Sequence, residues 1–208
     1  LAYSTIAEPF QYEIEPIKKS RFIASLHPLD KTHKLQAYLQ QAQQQYPNAN
    51  HHCWAYQILD NNLTRFSDDG EPSGSAGKPI LNHIQGKALF NVVIIVSRIF
   101  GGTKLGVGGL VRAYGQAASE VIAHAQLIPL IVTKIFSINY QYHDTAMIQQ
   151  ALHTLKLTPI KEFFSDRVSA VFEVAVDQYK ITCQTLTKLC HNRIDIVTID
   201  NKPDNNAP

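Results

Sequence analysis

Three cysteines, Cys53, Cys183 and Cys190, are an odd number with no Cys-x-x-Cys spacing. That argues against a disulfide framework or a zinc knuckle and fits a reducing cytosol. Long apolar runs are missing too. The longest, Val92–Val96, is five residues, far short of the ~20 that a helix needs to cross a bilayer. The first residues show no basic stretch followed by an apolar core, so no secretory leader is expected. A cytoplasmic protein with no membrane partner is the expectation. Charge is sparse at 17% of residues, and the net of +2 is too small to announce a nucleic-acid partner by itself. Signature motifs of catalysis are also lacking. There is no Gly-x-Ser-x-Gly, no Walker A loop, and the third glycine of a Gly-x-Gly-x-x-Gly motif would fall at Val111. No catalytic residue, cofactor or metal site is therefore expected.

What is present is an α+β pattern in two parts. Gln11–Ile17 and Arg21–Leu26 flank Lys18-Lys19-Ser20 as a β-hairpin. Asp30 is placed to cap a helix whose apolar residues Leu35, Tyr38, Leu39, Ala42 and Tyr46 follow the helical period. His52, Trp54, Tyr56 and Ile58 alternate with Cys53, Ala55, Gln57 and Leu59, which predicts a strand. A short helical turn is expected at Ile80–Gln85. Phe90–Arg98 has the β-branched density of a central strand buried on both faces, and Leu110–Ala125 carries the strongest amphipathic helix pattern. From Ile135 the order of elements is βαββαβ, with Asp144 placed to cap the first helix, the layout of a ferredoxin-like domain. The predicted domains are 1–133 and 134–208. The first is the more basic: residues 1–134 hold 12 Lys/Arg against 9 Asp/Glu, and residues 135–208 hold 7 against 8.

Two glycine-rich segments carry the chemistry. In the second, Gly101, Gly102, Gly106, Gly108 and Gly109 lie between the central strand and the long helix, with Thr103 and Lys104 in the loop and Arg112 in the helix's first turn. Glycines let backbone N–H groups approach a ligand closely, and a helix N-terminus adds partial positive charge, so the loop reads as an anion or phosphate cradle. The alternative is a tight turn under close packing. The first segment carries Ser67, Asp68, Asp69, Glu71, Ser73, Gly74, Ser75, Gly77 and Lys78. Its carboxylates and hydroxyls could position a polar ligand, whereas for a metal a solvated loop is the better reading. The two loops are expected to build one site. His51-His52-Cys53 is not a metal cluster on this reading, because neighbours on a strand point to opposite faces and only His51 and Cys53 could converge.

Lys18–Ala24, His52–Tyr56, Ser67–Pro79 and Gly101–Leu110 together resemble the IMPACT family, in its bacterial branch, over most of residues 14–118. One position departs: Ile99 stands where the family usually shows an aromatic before Phe-Gly-Gly. The resemblance implies a first domain of the left-handed βαβ type seen in domain IV of elongation factor G and in ribosomal proteins. It implies a second domain like that factor's ferredoxin-like last domain, and RNA, a ribosome or a translation factor as partner. A protein partner is implied by the eukaryotic relative, which regulates translation by competing for an activator of a stress kinase. On this reading Lys18, Lys19, Arg21, Lys78, Lys104 and Arg112 meet phosphates. A phosphate- or nucleotide-dependent enzyme using Gly101–Gly109 is the alternative.

Overall fold

The β-branched run at Val92–Val96 lies in the middle of a five-stranded sheet, seen in a computed structural model that describes residues 3–199. The tail Asn201–Pro208 lies outside the described residues, as does any expectation about it. The chain divides into one unit ending at Leu130 and another starting at Ile131. The fold is mixed α+β.

In the first unit the strands are β1 (Ser4–Ile6), β2 (Phe10–Glu13), β3 (Arg21–Pro28), β4 (His51–Ile58), β5 (Leu63–Ser67), β6 (Val92–Ile99) and β7 (Leu127–Pro129). The helices are α1 (Leu35–Gln45), α2 (Gly77–Gly86) and α3 (Val107–His124). The main sheet runs β2-β3-β6-β4-β5 and every neighbouring pair is antiparallel. Alternation then sorts the side chains of β6 and β4. Val93, Ile95, Tyr56 and Ile58 pack under α1 with Leu35, Tyr38 and Leu39. Val92, Ile94, Val96, Cys53 and Ala55 pack under α2 and α3 with Ile80, Ile84, Leu110 and Tyr114. A central strand needs apolar residues at both parities only when both faces are covered, and here both are.

Several expectations change. Asp30 does not cap α1, because its carboxylate pairs with Lys34 Nζ at 2.7 Å and a 3-10 turn (Thr32–Lys34) precedes the helix proper. Asp144 occupies the cap position of its helix, but its carboxylate accepts Arg193 Nη1 at 3.2 Å in place of a helix amide. The turn expected at Ile80–Gln85 is a ten-residue helix, with Pro79 in the first turn, where its missing N–H costs nothing. The strands β1, β5 and β7 carried no sequence signal: they are three to five residues long and held by pairing rather than composition.

The second unit contains β8 (Thr133–Tyr140), α4 (Thr145–Leu155), β9 (Lys161–Phe164), β10 (Val168–Ala175), α5 (Val176–Leu189) and β11 (Asp195–Ile199). Its antiparallel sheet runs β11-β8-β10-β9. Phe136, Ile138, Tyr140, Ala170 and Phe172 bury against Ile148, Leu152 and Leu186, with Cys183 and Cys190 in the same core. No helix among the described residues is long and apolar enough to cross a membrane.

Candidate functional site

Register decides which polar residues meet at one end of the sheet. Arg98 in β6 lies opposite His51 in β4 on one side and Phe22 in β3 on the other. His51, Cys53 and Arg98 therefore face the α3 side, as does Tyr114 of that helix. Asp68-Asp69-Gly70-Glu71 is a tight turn, closed by the Glu71 amide on the Asp68 carbonyl at 2.9 Å, with positive φ at Asp69 (42°) and Gly70 (84°). Asp-Gly is the pair that such a turn requires. The turn folds Glu71 back over the sheet, where one carboxylate oxygen accepts Arg98 Nη1 at 2.6 Å and the Tyr114 hydroxyl at 2.7 Å. Both side chains of the ion pair are buried, Glu71 at 4% exposure and Arg98 at 6%.

The other carboxylates of this loop have structural partners. Asp68 accepts the amides of Gly74, Ala76 and Gly77 at 2.8–3.0 Å and so caps α2 from eight residues upstream. Asp69 accepts the His52 amide at 2.6 Å. Among the described residues no group of three or more His, Cys, Asp or Glu is placed to hold a metal. Ser67 Oγ accepts the Asp69 amide, Ser75 is fully buried, and Ser73 and Gly74 are exposed. Gly77 is required by close approach: a Cβ there would lie 2.7 Å from the Ser67 carbonyl oxygen. Lys78 is exposed, its ammonium 6.0 Å from the centre of the Phe66 ring.

Beyond β6 the second loop opens a cleft of about 460 Å³. Glu71 and Pro72 line it from the first loop, Lys104, Leu105, Gly106 and Val107 from the second, and Asn50, His51, Arg98, Phe100 and Leu110 from the strand ends and α3. The loops thus meet through their nearer halves. Ser73–Lys78 turns away into α2 and contributes no lining residue. Lys104 is exposed and forms no ion pair with a described residue. Gly106 adopts φ 75° and begins α3, whose first turn has no side-chain cap and no acidic residue. Thr103, Gly102 and Gly108 are exposed beside it, Gly109 packs on Leu105, and Arg112 is exposed one turn along, outside the lining.

The lysine hairpin abuts this loop. Lys18 (φ 48°) and Lys19 (φ 64°) are both left-handed, and Ile17 and Ser20 bond to each other across them at 2.9 Å. Left-handed backbone costs an L-residue about 1–2 kcal/mol. Replacing the pair by Asn-Gly is therefore expected to stabilise the unit by roughly 1 kcal/mol in urea unfolding. No gain would mean that the lysines are not strained. Arg21 instead makes a two-pronged pair with Glu13 at 2.7 and 2.9 Å.

Burial sets the protonation of the groups behind the cleft. It pushes the Cys53 thiol up to about 12, and the thiol rests on the Asp68 carbonyl at 3.0 Å. Burial likewise raises Tyr114, keeping its hydroxyl a donor to Glu71. His52 bonds Ser97 Oγ at 2.8 Å on the opposite face of the sheet, where desolvation lowers it and keeps the ring neutral.

Asn50, His51, Arg98, Phe100 and Tyr114 were not among the expected site residues. The usable signals were a charged residue closing a β-branched run, as at Arg98, and the shared parity of His51 and Cys53.

Residues 18–122 match the Impact N-terminal domain. An IMPACT family member of Haemophilus influenzae is 31% identical over 189 residues, covering 89% of this chain and 92% of the relative. The IMPACT family member YvyE of Bacillus subtilis is 33% identical, covering 94% and 90%, and YigZ of Escherichia coli 34%, covering 67% and 70%. A crystal structure of a hypothetical protein superposes with a TM-score of 0.71 at 27% identity, covering 97% of this chain and 98% of that one. The chain belongs to the IMPACT family.

Proposed function

We propose that this chain is a translation-associated binding protein that contacts RNA or a ribonucleoprotein through the glycine-loop end of its first unit. The observation that carries the reading is the cleft itself. An exposed Lys104, the uncapped start of α3 and the exposed ring of Phe100 converge there on 460 Å³ of open space. Phosphates are drawn by the cation and the helix amides, and an unpaired base can stack on the ring. The Lys19–Ser20 backbone lies against Gly101, which brings the lysine turn to this end of the unit, and the strained backbone of Lys18 and Lys19 is the kind of cost that persists at binding sites. On this reading the first unit is the module of domain IV of elongation factor G and of ribosomal proteins, and the second is a ferredoxin-like domain. Its antiparallel β11-β8-β10-β9 order supports that assignment.

Lys104→Ala is the direct test. Affinity for a single-stranded RNA oligomer should fall several-fold, and the slope of log K against log salt should become shallower by about 0.7 for one lost phosphate contact. The melting transition should stay put, because the side chain is exposed. An unchanged salt slope would remove Lys104 from the interface.

A further inference from the structure

His51 has more on offer than binding requires. Its Nδ1 lies 2.7 Å from the Asp69 carbonyl oxygen. A carbonyl only accepts, so Nδ1 carries the proton, and the neutral ring must present a lone pair at Nε2. Nε2 makes no hydrogen bond to a described residue and stands 3.9 Å from Glu71 Oε1, beside the cleft that both residues line. Glu71 is itself immobilised by Arg98 and Tyr114. A ring that gains a proton at Nε2 would find a fixed carboxylate next to it. An orienting acceptor behind the ring, a free lone pair in front and a carboxylate to stabilise the imidazolium are the parts of a general base.

Anion-binding groups line the same cleft. The Arg98 side chain is 6% exposed and lines the cleft, with its Nη1 on Glu71 at 2.6 Å. Lys104 and the first amides of the eighteen-residue α3 complete the set. The lining otherwise includes Phe100 and Leu110, surfaces suited to a ring or sugar and unsuited to a hydrated ion.

We infer that the cleft hydrolyses a phosphate ester, with His51 Nε2 as the base that activates water. The inference rests on the phosphate-binding reading above. Water gives a proton to Nε2 as its oxygen forms a bond to phosphorus. The bond from phosphorus to the ester oxygen breaks on the side away from the attacking water, and that oxygen leaves as an alcohol with a proton taken from solvent, while the proton on Nε2 passes to solvent. Nothing is oxidised or reduced. Charge gathering on the non-bridging oxygens falls to Lys104 and the α3 amides. The ester can belong to an RNA strand or to a mononucleotide, and the chemistry is the same.

The test uses the full chain, a labelled single-stranded RNA and AMP. His51→Asn keeps a side-chain N–H for the Asp69 carbonyl and removes the base, and His51→Gln serves if the first variant melts early. Expected for the wild type is strand cleavage or phosphate release. In the variant the rate should fall by about 10²–10⁴-fold while the dissociation constant holds within about threefold. Cleaved RNA without phosphate from AMP assigns the strand as substrate, and the reverse assigns the small nucleotide. Tight binding by the wild type with neither product overturns the inference and leaves the binding reading standing, and a variant as fast as wild type overturns it equally. Failure of both probes to bind at low salt sinks the binding reading and this inference with it.

Discussion

Glu71→Ala is expected to destabilise the first unit by roughly 3–5 kcal/mol, the usual result of removing one partner from a buried ion pair. Arg98 would be left with its charge in a wall that is 94% covered, and Tyr114 would lose the acceptor of its hydroxyl. Arg98 is held between the Phe22 and Phe100 rings, at 5.6 and 5.5 Å from their centres, and Tyr114 is fully buried. The measurement is urea unfolding followed by the fluorescence of Trp54, the only tryptophan, which lies in this unit. The double variant Glu71→Ala/Arg98→Met should recover much of the loss, because the penalty lies in the stranded charge more than in the lost attraction. A single-variant loss below about 1 kcal/mol would mean that the pair behaves as a surface pair, screened by water.

Gly101→Ala should be the most damaging glycine substitution in the second loop. A Cβ at this position would lie 2.0 Å from the carbonyl carbon of Lys19 and 2.3 Å from the Ser20 nitrogen, both backbone atoms that cannot rotate away. The Gly101 amide also donates to Ser20 Oγ at 3.1 Å, so displacing the hairpin breaks that bond as well. Overpacking against backbone costs about 1–3 kcal/mol or more. The comparison is Gly102→Ala, where the added carbon meets nothing within 4 Å and only the backbone, at φ 86°, objects, at about 1–2 kcal/mol. Unfolding gives both losses, and hydrogen exchange at the Ser20 amide reports whether the lysine turn has moved. Equal effects, with Ser20 protection intact, would mean that the hairpin does not rest on Gly101.

The five glycines of the second loop are glycines for different reasons. Gly101 is small because a hairpin eighty residues earlier in the chain rests on it, whereas Gly102 and Gly106 are glycines for their positive φ. Of the expected binding residues, Glu71, Lys104 and Gly106 line the cleft, and Asp68, Asp69, Ser67 and Gly77 hold the first loop in shape. A carboxylate in a glycine loop looks the same in sequence whether it faces a ligand or a backbone amide.

The sequence by itself determined the strand periods at Cys53–Ile58 and Phe90–Arg98, the long helix of α3, the βαββαβ order after Ile135, and the two glycine loops with their turn residues. Each element is encoded in its own stretch of chain, through alternation, helical spacing or the left-handed φ that glycine permits. Tertiary structure alone decided that Arg98, His51, Glu71 and Tyr114 meet. These residues come from β6, β4, a turn and α3, and their encounter depends on the register of two strand pairs and the placement of a helix over the sheet. Register is fixed by the burial of whole faces, which no local window contains.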